Sequence, residues 1–504
     1  MGTISTLWEL DTIGRAMDYV TNPENEHIRL QNFIENRFLD RSHTPEWIDS
    51  SDPRSGYLFL KLPISPENVV EYAVNVAARA FTAWSKTSVY QRSDVLFRIA
   101  NIMEDKKDMF AVWESIDQGK QLHRARTEVD HAIEFFRYFA RYILQEETNA
   151  VHLNKTARQS TLTYEHRLPV GVYAIITSSN MPLYLLASKI APCLAFGCTG
   201  VAKPSEHTSM TAFLFAEVLR RADLPPGVMN IVFGNGPSTG STLVGSPAIR
   251  GVSLTGGIKT GIQIRKETAA DIHKRLSLDL QGSCPTLIFG DVDLESAAST
   301  AAYAAFENSG QVCLGGSRIY VHRSVYKVFL SKLIRLVLKK YRPAKDMGPV
   351  ISRKHYDNIR AYLIQADEEH ATFEIGEIPE EIPNDGFWVG PTILSNIHPE
   401  SPLGQEELSG PVAIVYSFDT EEEVVDLCND NRNGKGAVVL TDDLSRMRRV
   451  REHLDAELTW GNCWLGRDLG AGLNDVMAAG MGHGAGARIQ DIFTRSRTVH
   501  VPSY

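Results

Sequence analysis

The stretch Val170-Gly171-Val172-Tyr173-Ala174-Ile175-Ile176-Thr177 indicates the fold class, because it begins a regular alternation of strands and helices. It is apolar along most of its length, which is typical of a strand that is buried on both faces of a parallel sheet. We predict a helix over 183–195, a strand over 200–202, a helix over 209–221 and a strand over 228–233 after it. Alternation at this spacing predicts a doubly wound α/β domain.

Polar or glycine-rich clusters follow three of these strands directly. They are Ser178-Ser179-Asn180, Lys203-Pro204-Ser205-Glu206 and Gly234-Asn235-Gly236. Because the carboxyl ends of parallel strands share one edge of the sheet, these clusters predict a ligand cleft there. The turns over 234–240 and at Leu254-Thr255-Gly256-Gly257 also resemble phosphate-binding turns, since backbone N–H groups at a helix start bind phosphate. Each is equally consistent with an ordinary glycine turn.

A second alternating region begins after Gly282. We predict strands over 286–289, 318–322, 412–416 and 436–440, with helices over 294–306 and 325–340. Cys313 lies on the loop between the first of these helices and the strand at 318, and glycines at 310, 315 and 316 flank it. Glycines permit close approach of a substrate to the backbone, and rigidly supported loops often carry catalytic groups. From the residues alone, Cys313 is either a nucleophile or a small buried hydrophobic residue.

The remaining segments receive less specific predictions. Helical patterns cover 66–87, 90–109 and 127–142, and residues 1–26 are either a loose extension or a short helix. Residues 161–164 alternate as an extended ribbon, the glycine-rich run 470–487 is predicted to be loop, and 498–501 is predicted to be an edge strand.

Composition narrows the class of protein. The chain has 504 residues, 43% hydrophobic content and a net charge of -9. It is long enough for two or three domains, and its acidic balance argues against nucleic acid or an anionic membrane as a partner. Six cysteines without a C-x-x-C pair predict free thiols in a reducing compartment, so we predict a cytoplasmic location. We predict no secretory signal, membrane span or metal site.

Several motifs together carry a wider resemblance. They are Pro169-Val170-Gly171-Val172, Asn180-Met181-Pro182-Leu183, Lys189-Ile190-Ala191-Pro192, Lys203-Pro204-Ser205-Glu206, Leu224-Pro225-Pro226-Gly227-Val228 with Asn230, Gly310-Gln311-Val312-Cys313, and Glu406-Glu407 with Gly410-Pro411-Val412. In type, order and spacing they resemble the aldehyde dehydrogenase superfamily from about residue 27 to residue 501. The segments 317–321 and 462–469 look most like its 2-aminomuconate semialdehyde dehydrogenase branch, which handles carboxylate-bearing semialdehydes.

The resemblance implies an α/β fold with two doubly wound domains, one for the cofactor and one for catalysis, plus a small β ribbon for oligomerisation. It assigns residues 27–145 and 166–281 to an NAD-binding domain and 282–470 to the catalytic domain, after an N-terminal extension of 1–26. Residues 146–165 and 485–504 match the oligomerisation elements, which implies a homodimer or homotetramer.

The resemblance also implies a mechanism in which Cys313 adds to an aldehyde. The oxyanion of the thiohemiacetal needs hydrogen-bond donors, and the Cys313 backbone N–H and the Asn180 amide match that role. Hydride transfer to the nicotinamide leaves a thioester, which a carboxylate-activated water hydrolyses. Asp279 matches the position of this general base, and Lys189 is the fourth catalytic residue that the resemblance implies.

Binding residues are assigned in the same way. Lys203 and Glu206 match residues that hold the adenosine ribose, Thr255, Gly256 and Gly257 match the pyrophosphate turn, and Glu407 matches the nicotinamide-ribose ligand. A carboxylate beside the 2′-hydroxyl repels a 2′-phosphate, which favours NAD over NADP. Arg467 and His131 match the two positions that bind the carboxylate end of the substrate, although an arginine is usual at the second.

One departure from the family pattern bears on the chemistry directly. The family motif Leu-Glu-Leu-Gly-Gly-Lys is replaced by Leu278-Asp279-Leu280-Gln281-Gly282-Ser283, so the base is shorter by one methylene, about 1.5 Å. A displacement of that order slows proton transfer markedly, which makes release of the acyl group the sensitive step. Two alternatives to hydrolysis therefore stay open: transfer of the thioester to another acceptor, and a catalytically weak paralogue that acts as a scaffold or binding subunit.

Overall fold

The predicted strand-helix alternation forms two large, mainly parallel sheets in a computed structural model of the chain. The structure describes all residues except 1, 23–24, 26, 41–45, 146–150, 156–159, 283, 382–384, 407, 432–433, 467–468, 470–472, 475–479, 482, 486–488 and 503–504.

Helices and strands are numbered along the chain. Up to the first large sheet's last parallel strand they are α1 (Gly2–Leu7), α2 (Ile13–Thr21), β1 (Ile28–Arg29), β2 (Phe33–Ile34), β3 (Arg37–Phe38), β4 (Trp47–Ser51), β5 (Leu58–Pro63), α3 (Glu67–Trp84), α4 (Val89–Asp105), α5 (Lys107–Gln118), α6 (Leu122–Tyr142), β6 (Val151–Lys155), β7 (Ser160–Pro169), β8 (Val172–Ile176), α7 (Pro182–Ala195), β9 (Thr199–Lys203), α8 (Met210–Arg221), β10 (Met229–Ile231), α9 (Ser241–Gly245), β11 (Ile249–Gly256), α10 (Ile258–Thr268) and β12 (Arg275–Leu280). The rest are β13 (Pro285–Ile288), α11 (Leu294–Phe306), β14 (Arg318–His322), α12 (Tyr326–Lys340), α13 (Arg353–Glu368), β15 (Thr372–Ile375), β16 (Thr392–Ser395), α14 (Pro402–Gln405), β17 (Val412–Phe418), α15 (Glu421–Asn429), β18 (Gly436–Leu440), α16 (Leu444–His453), β19 (Leu458–Gly461), β20 (Leu473–Asn474), β21 (Gly480–Met481), β22 (His483–Ala485), α17 (Ile489–Phe493) and β23 (Thr494–Pro502).

The first large sheet has the strand order β21-β12-β11-β8-β9-β10-β2-β3. Its five central strands, β12 to β10 in that order, are parallel, while β21 and β2 join the edges in antiparallel fashion. From β8 the chain adds β9 and β10 on one side of the sheet and then returns to add β11 and β12 on the other side. The direction in which strands are added therefore reverses between β8 and β11. Such a reversal opens a crevice at the carboxyl ends of the strands, where ligands bind. The predicted doubly wound fold is confirmed.

The second large sheet has the order β15-β16-β17-β14-β13-β18-β19 and is parallel except for β15 at one edge. It reverses between β13 and β18 in the same manner. Helix α11 packs against it through a stripe of buried alanines, and this small-residue face lets the helix lie close to the strands. Cys313 follows α11 and precedes β14, as predicted.

A three-stranded antiparallel sheet, β23-β7-β6, contains the predicted ribbon and edge strand. Strand β23 pairs with β7 along its whole length, from Thr494 opposite Pro169 to Pro502 opposite Thr161. The strand predicted over 498–501 therefore starts earlier than expected and lies at a sheet edge. Two smaller sheets, β1-β5-β4 and β20-β22, complete the strands that the structure describes.

Two local predictions were wrong, and one pair of alternatives was decided. The helix predicted over 90–109 is two helices, because Lys106 leaves helical geometry (φ -113°, ψ 21°) between α4 and α5. The N-terminal segment takes the helical alternative, as the short helices α1 and α2, and its Trp8 is buried against Phe110 with the Arg221 guanidinium 4.5 Å from its ring centre. The run 470–487 contains short strands, of which β21 pairs with β12. No helix among the described residues is long and apolar enough to cross a bilayer.

Candidate active site

The Cys313 loop is held in one conformation by backbone geometry and by packing. Asn308 and Ser309 adopt left-handed φ values of 52° and 56°, and Gly310 follows at 70°. A side chain at Gly310 would overlap the carbonyl of Gly410, so only glycine fits where these two segments meet. The Ser309 hydroxyl donates to the Gly348 carbonyl at 2.7 Å. Cys313 is half-buried at the end of this fixed loop.

Asn180 lies beside the loop with its amide orientation fixed. Its Oδ1 accepts a hydrogen bond from the Ser178 hydroxyl at 2.8 Å, and its Nδ2 donates to the Gln311 carbonyl at 3.0 Å. Its backbone carbonyl accepts from Asn308 Nδ2 and from Lys120 Nζ, at 3.1 and 3.0 Å. An amide nitrogen carries two hydrogens, so the second Nδ2 hydrogen is available to an oxyanion.

A buried charge cluster supports Asn180 from behind. Lys120 forms an ion pair with Glu128, and its Nζ lies 3.9 Å from Glu114; all three side chains are 1% exposed. Burial raises the pKa of Glu114 to about 7, against the lowering influence of Lys120. Glu114 accepts hydrogen bonds from the Leu183 backbone N–H and the Thr211 hydroxyl, so the cluster also fixes the start of α7.

A cavity of about 190 Å³ brings four of the predicted residues together with Cys313. Its described lining consists of Ser178, Ser179, Asn180, Thr255, Gly256, Gly257, Leu280, Gln281, Cys313 and Ser409. Five of these belong to the predicted catalytic or cofactor set. Asp279 is not among these described residues, although Leu280 and Gln281, which follow it in the chain, are.

Asp279 is held at the end of β12 by two partners. Its Oδ2 accepts from the Thr255 hydroxyl at 2.9 Å, and its Oδ1 forms an ion pair with Lys435, which enters from the segment before β18. Lys435 Nζ also donates to the Leu280 carbonyl at 2.7 Å. Burial acts to raise the pKa of Asp279, but the ammonium groups of Lys435 and Lys189 outweigh it, so the pKa lies below its ordinary value. Asp279 is therefore ionised at neutral pH.

Lys189 lies on α7 and is 7% exposed. Its charge contributes, with that of Lys435, to the lowered pKa of Asp279. The structure thus places Lys189 near the carboxylate, rather than in the described lining of the Cys313 cavity.

A larger cavity of about 630 Å³ occupies the crevice at the strand ends. Its described lining consists of Ile176, Thr177, Ser178, Lys203, Ser205, Glu206, Gly236, Pro237, Gly240, Ser241, Val244, Leu254, Thr255, Gly256, Lys259, Thr260, Gln263, Ile264 and Glu267. All three predicted polar clusters contribute, which confirms that they share one edge. Ser178, Thr255 and Gly256 line both this cavity and that of Cys313, so the two are adjacent.

Lys203 and Glu206 form one polar wall of the larger cavity. Lys203 Nζ lies 3.4 Å from Glu206 Oε2 and donates to the Pro204 carbonyl at 3.0 Å. Burial acts to raise the pKa of Glu206, but the Lys203 charge overrides it, so the pKa is lowered and the carboxylate is ionised. The Gly256–Gly257 turn leads into α10, whose N-terminal N–H groups are suited to a pyrophosphate.

A third cavity of about 380 Å³ lies next to the segment that carries Cys313. Its described lining consists of Arg124, Thr127, Glu128, His131, Glu134, Met181, Tyr184, Tyr303, Trp464, Leu465 and Leu469. Trp464 Nε1 donates to the Leu314 carbonyl at 2.9 Å, which joins this wall to the loop. The His131 ring meets Tyr184 edge to face, 6.1 Å between centres. Arg467 and Glu407 lie outside the described residues.

The other cysteines are separate from these cavities. Cys193, Cys198, Cys284 and Cys428 are buried, and Cys463 is exposed. Burial raises the pKa of Cys198 to about 11 and that of Cys428 to about 12, so both stay protonated and unreactive. No group of three or more His, Cys, Asp or Glu residues in the described part of the chain is arranged to hold a metal ion.

Sequence reasoning missed several residues at the site. Lys435 pairs with Asp279, Gln281 and Ser409 line the Cys313 cavity, and Arg124 lines the third cavity, where its guanidinium pairs with Glu307 at 2.6 Å. The replacement of the family's glycine by Gln281 was a visible signal of altered chemistry. No local pattern points to Lys435, because its role depends on how the two sheets meet.

Comparisons with known proteins give a consistent result. The model of the aldehyde dehydrogenase family matches residues 38–499. The chain is 38% identical over 493 residues to a 2-aminomuconic semialdehyde dehydrogenase of Mus musculus, covering 95% of this chain and 99% of the relative. It is 36% identical over 469 residues to a 2-aminomuconic 6-semialdehyde dehydrogenase of a Pseudomonas species, covering 90% and 95%. The crystal structure of betaine aldehyde dehydrogenase from Staphylococcus aureus in complex with NAD+ superposes with a TM-score of 0.89 at 29% identity, covering 96% of each chain.

Proposed function

The chain belongs to the aldehyde dehydrogenase family, and we propose that its three cavities carry out one reaction, the NAD-dependent oxidation of a semialdehyde to its carboxylic acid through Cys313. The observation that carries this proposal is the shared wall of Ser178, Thr255 and Gly256. A dinucleotide held in the larger cavity would reach the Cys313 cavity across this wall. The third cavity, whose Trp464 donates to the Leu314 carbonyl beside Cys313, is the proposed site of the aldehyde.

The cofactor is NAD, as in related structures that hold NAD+. We propose that Lys203 and Glu206 bind the adenosine ribose, where the ionised Glu206 accepts hydrogen bonds from the 2′-hydroxyl and repels a 2′-phosphate. Backbone groups at Gly256 and Gly257 bind the pyrophosphate, and Thr255 lines the wall beyond them. Glu407 stays a prediction for the nicotinamide ribose.

The attack half of the reaction rests on Cys313 and Asn180. The thiolate adds to the aldehyde carbon, and the carbonyl oxygen becomes an oxyanion that the Asn180 amide and the Cys313 backbone N–H stabilise. Because the hydrogen bonds of Asn180 already orient its amide, no reorganisation is needed at that step. NAD, when bound, accepts the hydride that leaves the adduct, and a thioester on Cys313 remains.

The release half rests on Asp279 as the general base for the hydrolytic water. The charges of Lys435 and Lys189 lower the pKa of this carboxylate, so it is ionised at neutral pH. Water adds to the thioester carbon, the C–S bond breaks, and the acid leaves while the Cys313 thiolate is regenerated.

We propose a carboxylate-bearing or aromatic-derived semialdehyde as substrate. His131 in the third cavity and Arg467 are the candidate ligands for the carboxylate end, and Tyr184, Tyr303 and Trp464 offer aromatic surface to an unsaturated chain. Arg124 in the same cavity is already paired with Glu307 and Glu128. A single substrate carboxylate fits this charge balance better than two.

We also propose a homodimer or homotetramer that assembles through the β23-β7-β6 sheet, whose outer strands β23 and β6 leave backbone groups at its edges. The cytoplasm stays a prediction from the cysteine pattern. Oxidation to the acid is favoured over thioester transfer and over a non-catalytic scaffold by the family match and by the semialdehyde dehydrogenases among the relatives.

The test monitors NADH formation when the purified protein is mixed with NAD and a panel of anionic, aromatic and neutral aldehydes. Continued turnover, with one acid formed for each NADH, supports the proposal. A single burst that an added thiol or amine releases supports transfer instead, and the absence of any burst overturns the proposal. Cys313→Ala is expected to abolish the signal, whereas Cys463→Ser, which changes an exposed thiol, is expected to leave it unchanged.

A further inference from the structure

Thr255 lies between the Cys313 cavity and Asp279. It is directly opposite Asp279 in the parallel register of β11 and β12, so both side chains leave the sheet on the same face. Thr255 lines the cavity that holds Cys313, whereas Asp279 is not among the described residues of that lining. The Thr255 hydroxyl donates to Asp279 Oδ2 at 2.9 Å. Thr255 therefore connects the Cys313 cavity to the carboxylate.

The carboxylate is held in this place through its other oxygen. Lys435, whose side chain is 2% exposed, pairs with Oδ1 and donates to the Leu280 carbonyl at 2.7 Å. The stem of Lys435 packs against Gly282, where any side chain would collide with it. Asp279 thus cannot swing toward Cys313 without breaking a buried ion pair, and it keeps one oxygen directed at Thr255.

We propose that the Thr255 hydroxyl is a catalytic residue that relays the proton of the hydrolytic water to Asp279. As water attacks the thioester carbon, it gives a proton to Thr255 Oγ1, and Thr255 gives its own hydroxyl proton to Asp279 Oδ2. The new C–O bond replaces the C–S bond, Cys313 leaves as a thiolate, and the product is the carboxylic acid. No oxidant or reductant enters this step. The inference rests on the proposed function.

The relay explains how a shorter base can serve the same reaction. Aspartate loses about 1.5 Å of reach relative to glutamate, but one O–H···O hydrogen bond spans about 2.7 to 2.8 Å. A hydroxyl both donates and accepts, so it can receive the water proton while it delivers its own. The charged groups that face Asp279 are Lys435 before β18 and Lys189 on α7, and both favour the ionised acceptor at the start of the step.

The test compares Thr255→Val, which keeps the shape of the side chain and removes the hydroxyl, with Thr255→Ser, which keeps the hydroxyl. At saturating NAD, stopped-flow absorbance gives the NADH burst, and the later steady rate reports deacylation. We expect a burst in both variants, and a steady rate at least tenfold lower in Thr255→Val than in Thr255→Ser. The solvent deuterium isotope effect on deacylation should change in Thr255→Val and persist in Thr255→Ser.

A merely structural role for Thr255 would change the KM for NAD and the burst, without a selective loss of deacylation. Equal steady rates in the two variants would overturn the relay. The relay would also be overturned if the double variant Thr255→Val/Asp279→Asn lowered the deacylation rate by the product of the factors measured for the two single variants. Non-additivity of those two changes is expected, because they interrupt one path. A wild-type protein that gives no burst would instead defeat the proposed function, so the two failures are distinguishable.

Discussion

The two walls of the Cys313 cavity differ in how they are built. One side of the cavity contains Asn180, and we call it the attack wall. Hydrogen bonds from Ser178, Asn308 and Lys120 fix Asn180 there, so that in the proposed mechanism its amide stabilises an oxyanion without moving. The other side contains Thr255, and we call it the release wall. There the Thr255 hydroxyl donates to the carboxylate of Asp279, which also forms an ion pair with Lys435. One wall is preorganised for its step, and the other works through an intermediary.

If the proposed roles hold, the two halves of the reaction are controlled by different groups. In the proposed mechanism, attack and hydride transfer depend on groups that line the cavity, whereas release depends on a carboxylate that is stabilised by charges outside it. Substitutions on the two walls should therefore separate in kinetics. Those on the attack wall slow the NADH burst, whereas those on the release wall leave the burst intact and slow the steady rate of deacylation.

Asp279→Asn should give the largest effect. Removal of the base is expected to lower the deacylation rate by a factor of about 10² to 10⁴, because general base catalysis contributes a rate enhancement of that size. The NADH burst is expected to keep nearly its normal rate. Stopped-flow NADH absorbance checks both phases. Asn leaves Lys435 buried without its anion, so Asp279→Asn/Lys435→Met is the matched control: it should recover stability without recovering deacylation. A burst that slows as much as the steady rate would contradict the separation of the walls.

Lys435→Met should destabilise the fold and move the pH profile. Breaking a buried ion pair by removing one partner costs about 3 to 5 kcal/mol in the free energy of unfolding. The folded pKa of Asp279 is lowered, so the pair stabilises the fold above the pKa of the unfolded aspartate, and this contribution is lost as pH falls through the folded pKa. Denaturant unfolding at neutral and acid pH measures this.

In Lys435→Met, the positive charge of Lys435 no longer opposes the effect of burial on Asp279, and that of Lys189 remains. The pKa of Asp279 therefore rises. The acid limb of the pH profile of the deacylation rate moves to higher pH. Lys435→Arg, which keeps the charge, should shift the limb less. An unchanged acid limb in Lys435→Met would show that Asp279 does not titrate in this step.

Asn180→Ala tests the other wall. Loss of one oxyanion donor lowers the rate of the stabilised step by about 10² to 10³. We expect this loss in the burst rate, with deacylation affected as well, because hydrolysis passes through a second oxyanion at the same place. Ser178→Ala, which releases the amide oxygen of Asn180, should reproduce a smaller part of the effect. A normal burst in Asn180→Ala would remove it from the attack wall.

Arg467→Ala should have the smallest and most selective effect. A charge-assisted hydrogen bond contributes about 1.5 to 3 kcal/mol, so the KM for an anionic semialdehyde is expected to rise about tenfold to a hundredfold, with little change for a neutral aldehyde. His131→Ala should raise the same KM less, and a larger rise at high pH than at low pH would count against a role for the imidazolium. Equal KM changes for both aldehydes would contradict the substrate assignment.

The hydrophobic periodicity of the sequence was sufficient to predict the fold, and local motifs were sufficient to identify the residues of the attack wall. The strands and helices around Val172, Cys313 and Gly436 follow from continuous apolar runs, which depend only on neighbours in the sequence. The polar or glycine-rich ends of β8, β9 and β10 were correctly placed at one edge, because the carboxyl ends of parallel strands share one edge of the sheet. The break at Lys106 was not predicted, since the apolar stripe continues across it.

The release wall could not be predicted in the same way. Asp279 was identified from its motif, but its partner Lys435 is far along the chain and reaches it only because the segment before β18 docks against the end of β12. Whether a carboxylate faces a cavity or stands behind Thr255 is decided by side-chain geometry on adjacent strands. Such geometry depends on tertiary packing, which leaves no periodic signal in the sequence.

The most direct test of the account is the mass of the peptide that contains Cys313, measured after acid quench of Asp279→Asn with NAD and a semialdehyde. We predict that one acyl group per chain accumulates on Cys313, with the added mass of the substrate less two hydrogens, one from the aldehyde and one from the thiol, while the exposed Cys463 stays unmodified. NADH formation without an acyl group on Cys313, or an acyl group that accumulates equally in the wild-type protein, would contradict it.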